Sequence, residues 1–442
     1  MDGEFRRYQL SQGARLYVRP TQKFKTVTVR VFLQQPLRVE SVSLNALIPR
    51  VLRRGTVSCP SMRDLAVRLE ELYGARLLSE VTKLGDRQVL VFGIDVVGAS
   101  YLGGLRSAGD GPSLLDSGIS LLNEVLTSPA LRDGLFRQEV VEQEKDALSR
   151  QVRALINDKT QYSVVRCVEE MFKGEPFALH ALGRLEGLKD VTPEGLFGHY
   201  SALFSESPAD IFVVGDVDPA DLKELLEGRL TFLARGPASV PSRPAGLVGH
   251  EPREIIEHEQ VSQGKLTMGY RTGITLCEDE YYPLLMFEGI LGAFPHSKLF
   301  TNVRERMSLA YYAQTTLDNS KGIMLIIAGV APENYGKVVR TIKEQIELVR
   351  EGEFSDFEIE ATRRAIAHKI KSSEDSPSGQ IAVFYERVLA GMPEPASLRL
   401  KKLEAVTREQ VIKAAARAEL DTIHFLSPPE ARVEHSPGSK SQ

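Results

Sequence analysis

The side chains that most often bind metals or act as nucleophiles, histidine and cysteine, are few and scattered in this sequence. Eight histidines occur among the 442 residues, and the first of them is His180. The cysteines, Cys59, Cys167 and Cys277, are too far apart in the sequence for a clustered zinc site, and their odd number does not suit a disulfide framework. We therefore expect free thiols in a reducing compartment. Metal chemistry in the first 179 residues would have to proceed without histidine ligands.

Motifs for nucleotide, serine-hydrolase and nucleic-acid chemistry are absent. The sequence has no Gly-x-x-x-x-Gly-Lys-Ser/Thr, no Gly-x-Gly-x-x-Gly after a strand and no Gly-x-Ser-x-Gly. Lysine and arginine number 55 against 59 aspartates and glutamates, a net charge of −4, so no basic excess is available for a nucleic-acid backbone. His258, between Glu257 and Glu259, is a weak metal candidate, for which a surface histidine is the alternative interpretation.

The stretch from Ala46 to Thr56 carries an informative pattern. It resembles the first active-site helix of the pitrilysin/insulysin-type metallopeptidases, which include the mitochondrial processing peptidase. In that family an inverted zinc motif, His-x-x-Glu-His, precedes a Gly-Thr turn. Its two histidines bind zinc, and its glutamate activates the zinc-bound water. Aligning on Gly55-Thr56 places Ala46 and Arg50 at the histidine positions and Pro49 at the glutamate.

The third zinc ligand of the family is a glutamate two helical turns past the glutamate of a Glu-Lys/Arg pair. Glu144-Lys145 resembles that pair, and Gln151 lies seven residues after Glu144. The separation from the first motif is longer than is usual in the family, which the Gly-rich insertion at 98–111 would explain. Alanine and proline offer no ligand atom, arginine is cationic, and glutamine is a poor zinc ligand beside carboxylate. The resemblance implies a chain with no zinc and no catalytic residue. Its degenerate positions are Ala46, Pro49, Arg50 and Gln151.

A second pattern lies between residues 291 and 311. Leu291-Gly292-Ala293-Phe294 resembles the Gly-rich turn of the family. Arg304 and Tyr311, seven residues apart, match the pair with which the family binds the peptide carbonyl and stabilises the oxyanion. The resemblance implies that both side chains contact substrate and that Gly292 lets a peptide backbone approach. The alternative is a helix-face arginine paired with an acid and a half-buried strand tyrosine.

Apolar runs and cap residues predict the elements that would position these side chains. Strands are predicted at 24–33, 87–96 and 210–215 in the first half, and at 265–271 and 322–330 in the second. Helix starts are predicted where a serine or threonine stands three residues before an acid or amide, or directly before a proline. These starts are Ser61, Thr192, Ser355 and Thr407.

A Pro-, Gly- and Ser-rich linker at 235–252 divides the chain into halves of similar size. The order of strands and helices is similar in the two halves. We therefore predict two homologous α+β domains, 1–234 and 253–426, each a mostly antiparallel sheet with helices packed on one face. The resemblance implies domains of the mitochondrial processing peptidase/insulinase type. Residues 427–442 are predicted to form a flexible tail.

The resemblance implies that this chain acts as the partner subunit of a zinc-bearing relative. In small members of the family, two chains enclose a chamber; one carries zinc and the other carries the Arg/Tyr pair. We expect a non-catalytic homologue that pairs with a zinc-bearing relative, or with itself, to bind and process peptides. The sequence has no apolar run of about 18 residues and no signal-peptide pattern at its start, so we expect a cytoplasmic protein without membrane or nucleic-acid partners.

Two alternatives remain open from the sequence. The chain could be a structural or interaction subunit without a peptidase role, as are the family's core subunits in respiratory complexes. It could also be a zinc peptidase with relocated ligands, for which His258 and His296 are the candidates. Peptidase assays and metal analysis distinguish these alternatives from the partner-subunit hypothesis.

Overall fold

The structure, a computed structural model, forms two compact units. It describes residues 4–11, 13–101, 113–232, 240–246 and 249–429. Unit 1 comprises Met1–Arg153, Leu179–Pro241 and Ser376–Ala382, and unit 2 comprises Ala154–Ala178, Ser242–Asp375 and Val383–Gln442. Parts of three predicted segments lie outside the described residues: 102–111 of the insertion, 235–239 and 247–248 of the linker, and 430–442 of the tail.

Unit 1 contains a six-stranded sheet and a two-stranded ribbon. The sheet consists of β1 (Arg6–Gln9), β2 (Arg15–Pro20), β3 (Thr26–Pro36), β4 (Arg76–Leu84), β5 (Arg87–Val97) and β8 (Ala209–Gly215); the ribbon consists of β6 (Leu131–Arg132) and β7 (Leu135–Phe136). The sheet order is β1-β2-β8-β3-β5-β4, and only β2 and β8 are parallel neighbours. The strands β3, β5 and β8 confirm three predictions, because buried β-branched and aromatic residues pack well on a sheet.

The helices of unit 1 contribute apolar side chains to the same core as the sheet. They are α1 (Val42–Leu52), α2 (Met62–Glu71), α3 (Leu114–Thr127), α4 (Gln138–Asn157), α6 (Glu186–Lys189), α7 (Pro193–Glu206) and α8 (Pro219–Arg229). The predicted caps are present, since Ser61 forms a capping box with Asp64 and Thr192 accepts a hydrogen bond from the Gly195 N–H. Leu47 of α1, Leu122 of α3 and Val31 of β3 are buried together in this core.

Unit 2 contains a five-stranded sheet with the order β11-β12-β10-β13-β9. Its strands are β9 (Arg253–His258), β10 (Gly264–Arg271), β11 (Ala310–Asp318), β12 (Ile323–Val330) and β13 (Glu419–Ser427). Its helices are α5 (Lys159–Met171), α9 (Tyr281–Glu288), α10 (Tyr335–Arg350), α11 (Asp356–Ser372), α13 (Ala396–Glu404) and α14 (Arg408–Ala416), and α12 (Pro377–Leu389) begins in unit 1. The predicted strands β10 and β12 and the capping boxes at Ser355 and Thr407 are present.

The two sheets share one topology. Reading β4-β5-β3-β8-β2 in unit 1 against β11-β12-β10-β13-β9 in unit 2 pairs each strand with a counterpart. In both sheets, the one parallel pair is the last of these five strands with its neighbour, and the other pairs are antiparallel. The predicted α+β class and the repeated order of elements are therefore confirmed.

The units are not continuous in sequence. Helix α5 belongs to unit 2, where the buried Ser163 Oγ lies 2.9 Å from Thr267 Oγ1 of β10. Residues Ser376–Ala382 belong to unit 1. This division differs from the continuous domains 1–234 and 253–426 that the sequence predicts, because packing partners far apart in the chain decide it. Among the described residues, every helix is too short or too polar to span a lipid bilayer.

Candidate functional site

Helix α1 carries three of the four positions predicted to be degenerate. Ala46 and Pro49 are buried, and Arg50 is partly exposed. Pro49 has no N–H, so it cannot donate the helical hydrogen bond to the carbonyl four residues earlier. The carbonyl of Pro49 accepts a hydrogen bond from Ser79 Oγ at 2.6 Å. Since Ser79 is on β4, this bond ties α1 to the edge strand of the sheet.

Arg50 contacts α4, which carries the fourth position, Gln151. Arg50 Nη2 donates to Gln151 Oε1, and Arg50 Nη1 lies 3.5 Å from Glu144 Oε2. Arg54, four residues after Arg50, donates to Glu144 Oε1. The Glu144 side chain is 7% exposed, whereas each of the two arginine side chains is 28% exposed. A buried carboxylate is thus compensated by two guanidinium groups that also reach solvent.

These residues line one cavity of about 480 Å³ in unit 1. The structure therefore brings Ala46, Pro49, Arg50 and Gln151 together, although Arg50 and Gln151 are 101 positions apart in the sequence. Met62 of α2 and three residues of β4 complete other parts of the wall. The ion pairs to Glu144 were not predicted from the sequence. The four-residue spacing of Arg50, in the last turn of α1, and Arg54, just after the helix, was the available signal.

A buried polar network supports α1 from behind. Asn45 Nδ2 donates to Gln88 Oε1 at 2.9 Å, and Asn45 Oδ1 lies 2.7 Å from His199 Nε2. Gln88 Nε2 in turn donates to the carbonyls of Val42 and Ala181. Because an amide oxygen can only accept, His199 Nε2 donates to Asn45 Oδ1, and burial lowers the pKa of His199. The network orients α1, and no local sequence pattern indicates it because its partners are distant in the chain.

The other histidines considered from the sequence have local partners. His180 Nδ1 accepts a backbone N–H at 3.1 Å, and burial, with a smaller effect of Lys83, lowers the pKa of His180 to about 4. His258 is exposed, with Nδ1 3.3 Å from a backbone carbonyl oxygen. His296 Nε2 lies 3.0 Å from Thr362 Oγ1. Over the part of the chain that the structure describes, no three His, Cys, Asp or Glu side chains are grouped so that they could hold a metal ion.

In unit 2, the side chains of a serine, a histidine and a glutamate lie next to one another in space. Ser163 Oγ lies 3.0 Å from His424 Nδ1, and His424 Nε2 lies 3.5 Å from Glu257 Oε1. Ser163 and His424 are both fully buried, and Ser163 also contacts the carbonyl of Lys265 and the hydroxyl of Thr267. A substrate carbonyl therefore has no access to Ser163, and this arrangement packs α5 on the sheet.

Arg304 and Tyr311 flank a tight turn in unit 2. Arg304 is on the π-helical segment Leu299–Arg306, and Tyr311 is on β11. Ser308 between them has a φ of +50°, which turns the chain from helix to strand. The Arg304 guanidinium lies 4.5 Å from the centroid of the Phe300 ring. Both side chains are exposed, Tyr311 by 69%, and neither forms an ion pair or hydrogen bond with another described residue.

Gly292 is buried in the π-helical segment Gly289–Ala293. A Cβ atom at Gly292 would lie 2.6 Å from Thr315 Cγ2 and 3.0 Å from Leu299 Cδ1. Such distances leave no room for a side chain between this segment and β11. Packing therefore accounts for the glycine, and the expectation that Gly292 lets a substrate backbone approach stays a prediction.

Comparison with known proteins identifies the family. A sequence model described as "Peptidase M16 inactive domain" matches residues 190–366. The "Probable inactive metalloprotease YmfF" of Bacillus subtilis (strain 168) is 36% identical over 414 residues, which cover 94% of this chain and 96% of the relative. The chain belongs to the M16 peptidase family. It is a non-catalytic homologue within that family, which confirms the prediction from the degenerate zinc motif.

Solved structures share the fold of nearly the whole chain. A conserved protein from Enterococcus faecalis V583 superposes with a TM-score of 0.90 at 29% identity, over 97% of this chain and 100% of that one. A protease from Helicobacter pylori superposes with a TM-score of 0.80 at 15% identity, again over 97% of this chain and 100% of the other. The second likeness concerns the fold alone. Together they show that the fold of this chain matches that of solved structures over 97% of its length.

Proposed function

We propose that this chain is the non-catalytic subunit of a peptide-binding and processing chamber, and that a zinc-bearing M16 relative is its partner. The observation that carries the proposal is the exposure of the Arg304 and Tyr311 side chains. Both are exposed, and among the described residues no side chain or backbone group takes up their donors. Polar groups held ready at a turn and left without an internal partner are suited to an external ligand.

The chemistry of the two side chains fits a peptide carbonyl. The Arg304 guanidinium and the Tyr311 hydroxyl would each donate a hydrogen bond to a peptide oxygen, and the cation would stabilise the negative charge that develops on that oxygen during hydrolysis. Contact with the Phe300 ring restricts the guanidinium and so reduces the entropy lost on binding. Zinc, held by the partner, would supply the activated water.

The proposal is tested with this chain and the zinc-bearing relative purified together. We expect peptide hydrolysis by the pair and zinc in the partner only. Arg304→Ala and Tyr311→Phe should each lower kcat of the pair, about a hundredfold for Arg304→Ala, the order found when an oxyanion donor is removed. Arg306→Ala is the matched control, because Arg306 is an exposed arginine of the same segment.

Three results would contradict the proposal. Unchanged hydrolysis with Arg304→Ala would show that the arginine does not contribute to peptide hydrolysis. A stable assembly without peptidase activity in any combination would favour a structural subunit. Stoichiometric zinc in this chain alone would favour a peptidase with relocated ligands.

A further inference from the structure

We propose that the cavity beside α1 is a binding site for a carboxylate of a peptide. We call it the arginine cavity and define it by Arg50, Arg53, Arg54, Glu144 and Gln151. It lies wholly within unit 1, and its lining residues all belong to that unit. The choice of a peptide as the molecule that carries the carboxylate rests on the proposed function. The charge and the shape of the cavity are independent of that function.

The arginine cavity has an excess of positive charge. The guanidinium groups of Arg50, Arg53 and Arg54 line it, against the carboxylates of Glu80 and Glu144. Glu144 is almost completely buried and already contacts Arg50 and Arg54. Glu80 is exposed on β4. Three cations and two anions leave one positive charge for a ligand to neutralise.

The free cation of the arginine cavity is Arg53. Its side chain is exposed, and it forms no ion pair or hydrogen bond with any residue in the described ranges. Arg50 and Arg54 also line the cavity and keep 28% of their side chains exposed while they contact Glu144. A guanidinium group has five N–H donors and binds carboxylates in bidentate geometry.

Gln151 adds further donors. Because Arg50 can only donate, its contact with Gln151 Oε1 fixes which end of the amide faces the arginine. The amide nitrogen of Gln151 keeps its two N–H groups for a ligand. A zinc site needs acceptor atoms, whereas the groups of Arg50, Arg53 and Gln151 are donors. The site is therefore built for an anion.

Size and wall composition favour an organic carboxylate over a free inorganic anion. The volume of about 480 Å³ lies in the usual range of small-molecule pockets, roughly 300–1,000 Å³. Part of the wall is apolar, from Ala46, Met62, Val81, Ala147 and Leu182. Such a wall suits the methylene groups of an acidic side chain or of a C-terminal residue, while the arginines bind the carboxylate.

The test measures peptide binding to the full chain alone, by titration calorimetry. The probes are acetyl-Ala-Ala-Glu-Ala-Ala-amide, its glutamine analogue, and acetyl-penta-alanine with either a free or an amidated C-terminus. We expect a glutamate or a free C-terminus to bind at least about tenfold more tightly than its neutral counterpart, as charge-assisted hydrogen bonds predict. The glutamate and C-terminal probes separate the two sources of the carboxylate.

Substitutions at two exposed positions change the net charge of the arginine cavity in opposite directions. Arg53→Gln should weaken binding of the acidic probe about tenfold, and Glu80→Gln should strengthen it about threefold. Neither residue has a described internal partner, so both variants should fold. Arg68→Gln is the control, since Arg68 is paired with Glu71 on α2 and does not line the cavity.

Equal affinity for charged and neutral probes would overturn the inference, as would unchanged affinity in both Arg53→Gln and Glu80→Gln. Binding of inorganic phosphate but of no peptide would overturn it as well. The measurement needs no partner chain and no hydrolysis. Its failure would therefore leave the proposed role of Arg304 and Tyr311 untouched, and failure of that role would not remove a measured affinity of the arginine cavity.

Discussion

At the scale of residues, a few charged side chains decide what unit 1 can bind. Arg50 and Arg54 place cations beside Glu144, and Ala46 and Pro49 offer no ligand atom on the same helix. A metal ion near Arg50 would be repelled by the guanidinium. The contact of Arg50 with Gln151 also occupies the amide oxygen, the one atom of that side chain that could bind a cation.

One prediction at this scale concerns pH and unit 2. His424, 3.5 Å away, and Arg166, 2.8 Å away, hold the pKa of Glu257 at about 2, below the ordinary value of 4.5. Because the folded pKa is the lower one, the carboxylate stabilises the fold above about pH 4.5, and this contribution is lost as the pH falls towards 2. The free energy of unfolding in urea should therefore fall over this window, and it should fall less in Glu257→Gln.

Glu259→Gln is the control for this measurement, since Glu259 is more exposed and pairs with Lys159 at 3.1 Å. The two variants should differ below about pH 4.5. If wild type and Glu257→Gln lose stability in parallel, Glu257 does not carry this part of the acid sensitivity.

At the scale of elements, two π-helical segments of unit 2 position Arg304 and pack against β11. Leu299–Arg306 carries Arg304 to the turn before β11, and Gly289–Ala293 packs against Thr315 of that strand. Wider helical turns of this kind are often found at functional sites. In unit 1, side chains join α1 to α4 instead, through the contacts of Arg50 on α1 and of Arg54 just after it.

The close approach of Gly289–Ala293 to β11 gives a second prediction. Gly292→Ala should destabilise unit 2 by about 1–3 kcal/mol, because the added Cβ would lie 2.6 Å from Thr315 Cγ2 and the segment must shift. Thermal unfolding measures this. Gly198→Ala in α7 is the control: a Cβ there meets nothing within 4 Å, so its stability should be unchanged or higher. Unchanged stability of Gly292→Ala with weaker peptide binding would instead support the predicted substrate role of Gly292.

At the scale of the whole molecule, each unit is assembled from separate parts of the chain. Helix α5 of unit 2 is fixed from its C-terminal end by Arg271, which donates to the carbonyl of Met171 at 2.5 Å and to Asp421 Oδ2 at 2.6 Å. The guanidinium also lies 4.7 Å from the centroid of the Phe172 ring. Asp421 is fully buried, so its charge depends on Arg271 and Arg253.

The third prediction follows from this contact. Arg271→Gln should destabilise unit 2 by about 3 kcal/mol, because a buried carboxylate loses one of its cations. Amide hydrogen exchange should become faster in α5 (Lys159–Met171), which loses the hydrogen bond that Arg271 of β10 donates to the Met171 carbonyl. Arg340→Gln, an exposed arginine of α10, is the control and should change neither quantity. Unaltered protection of α5 in Arg271→Gln would show that the helix is held by its apolar contacts alone.

Much of the fold could be predicted because its signals are local. The apolar runs of β3, β5, β8, β10 and β12 and the capping residues of α2, α7, α11 and α14 depend on a few neighbouring residues. The short strands β1, β6 and β7 and both π-helical segments were not predicted, since their sequences have no periodicity of their own. Their conformations depend on what they pack against.

The sequence alone determined the family and the loss of the zinc motif, because that motif spans one helix and its turn and is read from adjacent positions such as Ala46, Pro49 and Arg50. Tertiary structure alone decided that Arg54 contacts Glu144, 90 positions away, and that α5 belongs to unit 2. The physical reason is the same in both cases. Ion pairs and buried faces join residues that the chain separates, so their partners are defined only once the sheets have formed.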